Sequence, residues 1–467
     1  MKPPQFNLPR LSGAGIFTWA TPLLLSALHG FLATLPDLRL AVPELVGLTG
    51  LIVMLLAFIL YQGEKRPPDW PPWLILLIAL LIRAPFLMRP PELSDDIYRY
   101  LWDGLQLLSG HNPYALAPAD ITAATTSLAE IKNRVNHPEL VTIYGPAAQL
   151  FFGLASLFGG TVAGFKVALA LVDLGCCYLL WCLLRRLQIP PWKSVLYAWH
   201  PLPVLEIAGS GHIDGVGLFF LLAALLTVTR SNNSTDRTIF LWAAGLFTSC
   251  SVLVKLFPAV FLPGFLLIQA QRRWPYIATF ILSSLALTIP FFPELSNGLQ
   301  TLHTYTANWE FSSFSFRSMR CLLDSSSAAR MIIGAIFFLA ASRLYFLLFQ
   351  SLKTCSGQDR TLAMLETFYA LALLYLLLTP TLHPWYGLYL VWLLPFAAGA
   401  CGLILSWSLL LGYQVLTTYF LLGQWQESDL AAFLTWLGPV AALTIKLISN
   451  KKRVSFPPRK KDTLPKE

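Results

Sequence analysis

The chain has 467 residues, 56% hydrophobic and only 12% charged, with mean hydropathy +0.61. Soluble domains carry about 25% charged residues, so a soluble globular fold is excluded. The formal net charge of +9 sits in short clusters between apolar runs, which reads as membrane topology and contact with anionic lipids, with no nucleic-acid partner.

Apolar runs recur from Ile16 to Ser449, and about 20 such residues cross a ~30 Å hydrocarbon layer as a helix. Candidate spans are 16–35, 41–61, 73–88, 164–184, 194–209, 214–229, 239–255, 256–269, 275–292, 329–350, 362–380, 386–404, 406–422 and 431–449. The predicted fold class is an all-α polytopic membrane bundle of about 13 transmembrane helices with external juxtamembrane helices. Lys2 and Arg10 precede the first run, but no A-x-A-like site follows, so a retained helix is expected instead of a cleaved signal peptide.

With the N-terminus inside, Lys65-Arg66, Arg185-Arg186, Arg272-Arg273, Lys451-Lys452-Arg453 and Lys460-Lys461 all fall in the cytoplasm. This holds only if the stretch 143–160 does not cross. It opens with Tyr144-Gly145-Pro146 and is interrupted by Gly153, Gly159 and Gly160, so an interfacial or re-entrant helix is expected. The reading is one transmembrane domain, 1–450, with external segments at 89–163 and 293–328 and a disordered basic tail at 451–467. The sequon-like Asn232-Asn233-Ser234-Thr235 falls in a cytoplasmic turn and carries no expected glycan. Cys176, Cys177, Cys182, Cys250 and Cys401 sit in or beside apolar runs and Cys321 is alone in its loop. No disulfide framework and no zinc-type spacing is expected.

The polar chemistry concentrates after the third run. Glu92 to Glu139 holds seven acidic residues against three Lys or Arg. From Ser94 the spacing predicts a helix with Tyr98, Leu101, Trp102, Leu105 and Leu108 on one face, and Asp95, Arg99 and Asp103 on another. Such a helix would lie on the membrane with its aromatic face in lipid and its carboxylates at phosphate depth. The plainer reading is a Ser94 cap, a dipole-complementing acid and an Asp95–Arg99 pair.

Gly110-His111-Asn112-Pro113-Tyr114, His137-Pro138-Glu139 and Tyr144-Gly145-Pro146 follow that helix. Together with the acidic pair they resemble the first external loop of the GT-C integral-membrane glycosyltransferases. The likeness is greatest to bacterial polyprenyl-phosphate-mannose-dependent mannosyltransferases. It extends more distantly to the first mannosyltransferase of GPI-anchor synthesis. It continues in Trp199-His200-Pro201-Leu202-Pro203-Val204-Leu205-Glu206 with Gly211-His212-Ile213-Asp214, where His200 and Ile213 replace the family's asparagines. Leu253-Val254-Lys255-Leu256-Phe257-Pro258 and Leu382-His383-Pro384-Trp385-Tyr386 are also similar, so the resemblance covers about residues 90–390.

The resemblance implies transfer of a hexose, by preference mannose, from a polyprenyl-phosphate donor to a glycolipid or glycan on the external face, with inversion. It implies an acidic loop residue as general base, which the chemistry requires because a sugar hydroxyl is a poor nucleophile. Asp96 is the first choice, since Asp96-Ile97-Tyr98-x-Tyr100 fits the single-acid pattern, and Asp95 is the second. A divalent cation (Mg or Mn) on the Asp95/Asp96 pair stays open; no other metal or cofactor is expected. Arg99 and Tyr144 belong to the substrate-binding set. Lys255, Arg317 and Arg320 are candidates for the donor phosphate, with His383 as a hydrogen-bond donor. His212 and Asp214 would bind acceptor hydroxyls, or else cap the helix that follows. Snorkelling of Lys255 and headgroup contact by the two arginines are the plainer alternatives. The expected location is a bacterial inner membrane with a periplasmic site, or the ER lumen in a eukaryote. The rival classes are a transporter or flippase of lipid-linked sugars, which would place charges near the bilayer midplane, and a glycan polymerase or ligase.

Overall fold

The computed structural model describes residues 13–123, 125–231, 237–269, 273–397 and 399–454. The sequon-like stretch, Arg272 and residues 455–467 lie outside them. The described residues form an all-helical fold joined by turns, with one isolated bridge between Phe311 and Thr381. Seven of their helices are long and apolar enough to cross a bilayer: Val42–Lys65, Val162–Arg186, Trp274–Phe291, Ser326–Ser351, Gly357–Leu378, Ala400–Leu422 and Asp429–Lys446. Shorter apolar helices include Ala20–Ala33, Pro72–Leu87, Thr238–Val254 and Phe257–Ile268. The Ser326–Ser351 helix leaves Met331, Phe338 and Leu339 about two-thirds or more exposed, which only a lipid solvent accommodates cheaply. The chain is a polytopic all-α membrane protein.

Three expected spans take another form. Residues 194–209 do not make one helix: short pieces at Val195–Ala198 and Pro201–Pro203 lead into a π-helical turn, Val204–Gly209. Pro201 and Pro203 have no N–H to donate, and His200 Nδ1 accepts the Leu202 N–H at 3.1 Å instead. The broken backbone is tolerated because Val195–Ala208 is buried in protein, not lipid. The expected pair 386–404 and 406–422 is also redrawn. Short turns interrupted by Pro384 and Pro395 run to Ala397, and one helical stretch then spans Ala400–Leu422. The last helix continues to Val454, into the stretch expected to be tail.

The mid-membrane charges satisfy one another. Arg83 Nε donates to Asp173 Oδ2 at 2.7 Å, the Tyr197 hydroxyl donates to Asp173 Oδ1 at 2.5 Å, and Arg83 Nη1 reaches the carbonyls of Ala79 and Ala198. Lys166 Nζ donates to the carbonyls of Phe86 and Arg89 at 2.7 and 2.8 Å, closing the end of the Pro72–Leu87 helix. All seven cysteines are free.

The stretch 143–160 holds an 11-residue helix, Pro146–Ser156, roughly 16 Å long and too short to cross. It packs against the Asp96–Leu108 helix, where Gly104 admits the approach: a β-carbon there would lie 2.3 Å from the Phe152 carbonyl oxygen. This corrects the surface-helix expectation. Tyr98, Leu101 and Trp102 face protein, and Arg99 and Asp103 are buried too. Tertiary packing on the Pro146–Ser156 helix covers the apolar face that an isolated amphipathic helix would offer to lipid.

Candidate active site

Asp96 opens the Asp96–Leu108 helix, whose cap position is Asp95 and not Ser94; Ser94 Oγ accepts the Asp96 backbone N–H at 3.3 Å. Its carboxylate keeps 20% exposure and gathers three donors. Asn136 Nδ2 lies 2.9 Å from Oδ1, and the hydroxyls of Tyr144 and Tyr100 lie 3.3 and 3.4 Å from Oδ2. Burial, then the charge of Asp96, raises the Tyr144 phenol well above its ordinary value, so it remains a donor. Arg99 does not pair with Asp95. It is buried and donates to the carbonyls of Asn136, His137 and Leu140, which fastens the loop that supplies Asn136 to Asp96. Asp95 is exposed; partial desolvation, then the adjacent Asp96, raises its carboxyl, opposed by Arg39 and Arg134.

His212 meets this carboxylate from behind. Its Nδ1 lies 3.8 Å from Asp96 Oδ2 and its Nε2 3.5 Å from Glu206 Oε2. The imidazole is fully buried, neither ring nitrogen makes a hydrogen bond among the described residues, and the ring stacks on Trp385 at 4.0 Å. Burial first, then Lys255 and His383, holds it far below the ordinary imidazole value. The π-helical turn creates this contact, because its wider coil lets the His212 N–H bond the Glu206 carbonyl at 2.8 Å across Gly211, whose φ is +83°. The Tyr413 hydroxyl lies 2.8 and 2.9 Å from the two Glu206 oxygens.

Lys255 supplies the cation. Its Nζ donates to Asp214 Oδ2 at 2.7 Å and lies 5.4 Å from the centre of the Tyr386 ring. Asp214 is fully buried, whereas the Lys255 side chain keeps 21% exposure. Asp214 therefore does more than begin its helix. The Tyr386 hydroxyl meets that of Tyr305 at 2.8 Å. His383 stacks face to face on Trp385 at 4.1 Å. His383 is partly exposed, yet the packing around it, then Lys255, lowers its imidazole to about 3, which keeps it neutral.

The structure thus brings together Asp96, Tyr144, His212, Asp214, Lys255 and His383. It does not bring Arg317 or Arg320 to Asp96. Arg317 binds Glu427 and Asp429, and Arg320 binds Glu310, so carboxylates already hold the charge meant for a phosphate. Sequence reasoning quoted Glu206 within a motif without giving it a role, and it missed Asn136, Tyr305 and Tyr413. A lone glutamate inside an apolar run was the signal for Glu206; the others carry none. No group of three or more His, Cys, Asp or Glu among the described residues is placed to hold a metal ion.

An all-helical polytopic membrane protein with a partly exposed carboxylate in an acid-rich segment is consistent with an integral-membrane glycosyltransferase. The chain belongs to the alpha-(1->6)-mannopyranosyltransferase family, whose N-terminal domain model matches residues 12–271. It is 25% identical over 184 residues to alpha-(1->6)-mannopyranosyltransferase B of Corynebacterium glutamicum, a match covering 37% of this chain and 30% of that relative. No solved structure matches it.

Proposed function

We propose that the protein transfers mannose from a polyprenyl-phosphate donor to an acceptor sugar hydroxyl, with Asp96 as general base, forming an α-1,6 linkage on the external side of the membrane. The observation that carries the reading is the partly exposed Asp96 carboxylate. It is held by Asn136, Tyr144 and Tyr100 in an acid-rich loop of a mannosyltransferase-family chain.

In the proposed step an Asp96 oxygen takes the acceptor O–H proton as the acceptor oxygen attacks C1 of the donor mannose. The C1–O bond breaks and its electron pair leaves with the polyprenyl phosphate. A phosphate needs no strong general acid, only cations and donors around it; Lys255 supplies the charge, and His383, Tyr305 and Tyr386 supply polar hydrogens. A single displacement inverts C1, so a β-linked donor gives an α-mannoside. Residues 1–450 act as one catalytic unit in this account, with 89–163 as the catalytic external segment. A divalent cation has no role in it.

A transporter reading finds less support, because the buried Arg83, Asp173 and Lys166 are held by protein partners and are not free to bind a cargo. The test is reconstitution of the purified chain with polyprenyl-phosphate mannose and a mannoside acceptor, reading the product's anomeric configuration by NMR. An α-mannoside is expected. A retained β configuration, or transfer from a nucleotide-sugar donor alone, would overturn the reading.

A further inference from the structure

A second cavity, of about 550 Å³, opens between the Phe314–Leu323 helix and residues 425–432. That volume is within the range of small-molecule sites, about 300–1,000 Å³. Its walls include Glu310, Arg317, Arg320, Trp425, Glu427 and Asp429. The charges are matched: Arg317 bridges Glu427 and Asp429, and Arg320 holds Glu310. Arg330 also reaches Glu310, so three guanidinium groups face three carboxylates and the cavity carries no surplus positive charge for a phosphate. It presents oriented acceptors and N–H donors side by side, the array that a neutral, hydroxyl-rich ligand satisfies.

Trp425 adds an apolar platform. It is 51% exposed, and its indole N–H donates to Glu427 Oε1 at 3.2 Å, which fixes the ring. A pyranose has one face of C–H bonds and a rim of hydroxyls, and it matches an immobilised aromatic face bordered by carboxylates and guanidinium groups.

The cavity is also joined to Asp96 by a row of rings. Trp425 lies 5.7 Å from Phe311, Phe311 4.7 Å from His383, His383 4.1 Å from Trp385, and Trp385 4.0 Å from His212, measured between centroids. His383 and Trp385 are partly exposed. The bridge between Phe311 and Thr381, with the Leu382 N–H bonded to the Phe311 carbonyl at 2.7 Å, holds the row in register.

We propose that this cavity binds the acceptor as a neutral manno-oligosaccharide, its inner sugars on Trp425 and its terminal sugar toward the partly exposed His383 and Trp385, while the buried Phe311 and His212 hold that row of rings in place. The assignment rests on the mannosyl-transfer reading for the ligand's identity. It gives Arg317 and Arg320 the role of holding Glu310, Glu427 and Asp429 as hydroxyl acceptors.

The test is calorimetric titration of the purified full-length chain with α-1,6-linked mannotriose, and separately with inorganic phosphate. Wild-type protein is expected to bind the trisaccharide, with affinity about tenfold or more lower in Trp425→Ala, the loss typical of a truncated aromatic anchor. Asp429→Asn, at a side chain 90% exposed and so outside the packed core, is expected to weaken it several-fold. No trisaccharide binding by wild type, or equal binding in both variants, would overturn the proposal. Phosphate binding that Arg320→Gln abolishes, without trisaccharide binding, would overturn it in favour of an anionic headgroup. Titration reads binding and not turnover. Trp425-dependent binding in a protein that transfers no mannose would therefore refute the proposed activity and leave this site standing.

Discussion

His212 stands with Nδ1 3.8 Å from Asp96 Oδ2, fully buried and stacked on Trp385. A neutral imidazole in that position holds the base from behind without neutralising it, and Glu206 lies 3.5 Å from its other nitrogen. His212→Asn is therefore expected to lower kcat by less than the ~10²–10⁴-fold that removal of a general base costs. It should also move the acid limb of the kcat/KM profile, since a shorter amide replaces the imidazole dipole that faces the Asp96 carboxylate. Steady-state kinetics from pH 5 to 8 check this. A kcat loss with an unmoved profile would mean that the histidine only fills space.

The two lowered histidines make stability pH-dependent in a defined direction. His383 is held at about 3 and His212 well below 6.5, so below the unfolded value of about 6.5 the unfolded chain binds more protons than the folded one. Their contribution is complete above that value and is lost as pH falls through it. Between pH 7 and 5 the thermal midpoint in detergent is expected to shift downward more, or upward less, in wild type than in His383→Gln, and the difference between the two proteins isolates the histidine's contribution.

The Arg83–Asp173 pair is fully buried on both sides. Removing one partner of such a pair strands a charge and costs about 3–5 kcal/mol. Arg83→Met and Asp173→Leu are each expected to reduce folded yield sharply. The double substitution should lie closer to wild type than either single one, as thermal unfolding of the four proteins would show.

Gly211 has φ +83°, and a β-carbon there would lie 2.4 Å from Ile97 Cδ1. Gly211→Ala meets both a left-handed backbone penalty of about 1–2 kcal/mol and a contact with the residue next to Asp96. Displacements of about 1 Å at reacting groups cost up to ~10²-fold. Transfer activity is expected to fall by that order while KM for the donor changes little.

Much of this arrangement was legible in the chain. Composition alone gave the polytopic helical class, Ser94-Asp95-Asp96 marked the start of the key helix, and Gly145-Pro146 marked a helix too short to cross. The inward turn of the Asp96–Leu108 helix was not legible, because a helical stripe does not say whether lipid or protein covers it. The broken backbone at 194–209 was signalled by Pro201 and Pro203, but apolarity outweighed them. Contacts such as Glu206–Tyr413 and Asn112–Glu294 join residues more than 180 positions apart, and no local pattern encodes them. Arg317 reads as a free charge because its acidic partners at 427 and 429 lie beyond three further spans, and the pairing of Arg320 with Glu310, ten positions back, needs the chain to fold between them.

The most direct test is mannosyl transfer from radiolabelled polyprenyl-phosphate mannose by wild type, Asp96→Asn and Asp95→Asn, each checked for folded yield. Transfer by wild type and Asp95→Asn, with a ~10²–10⁴-fold loss in Asp96→Asn, is the expected result. Full activity in Asp96→Asn, or loss confined to Asp95→Asn, would contradict the assignment of Asp96 as the base.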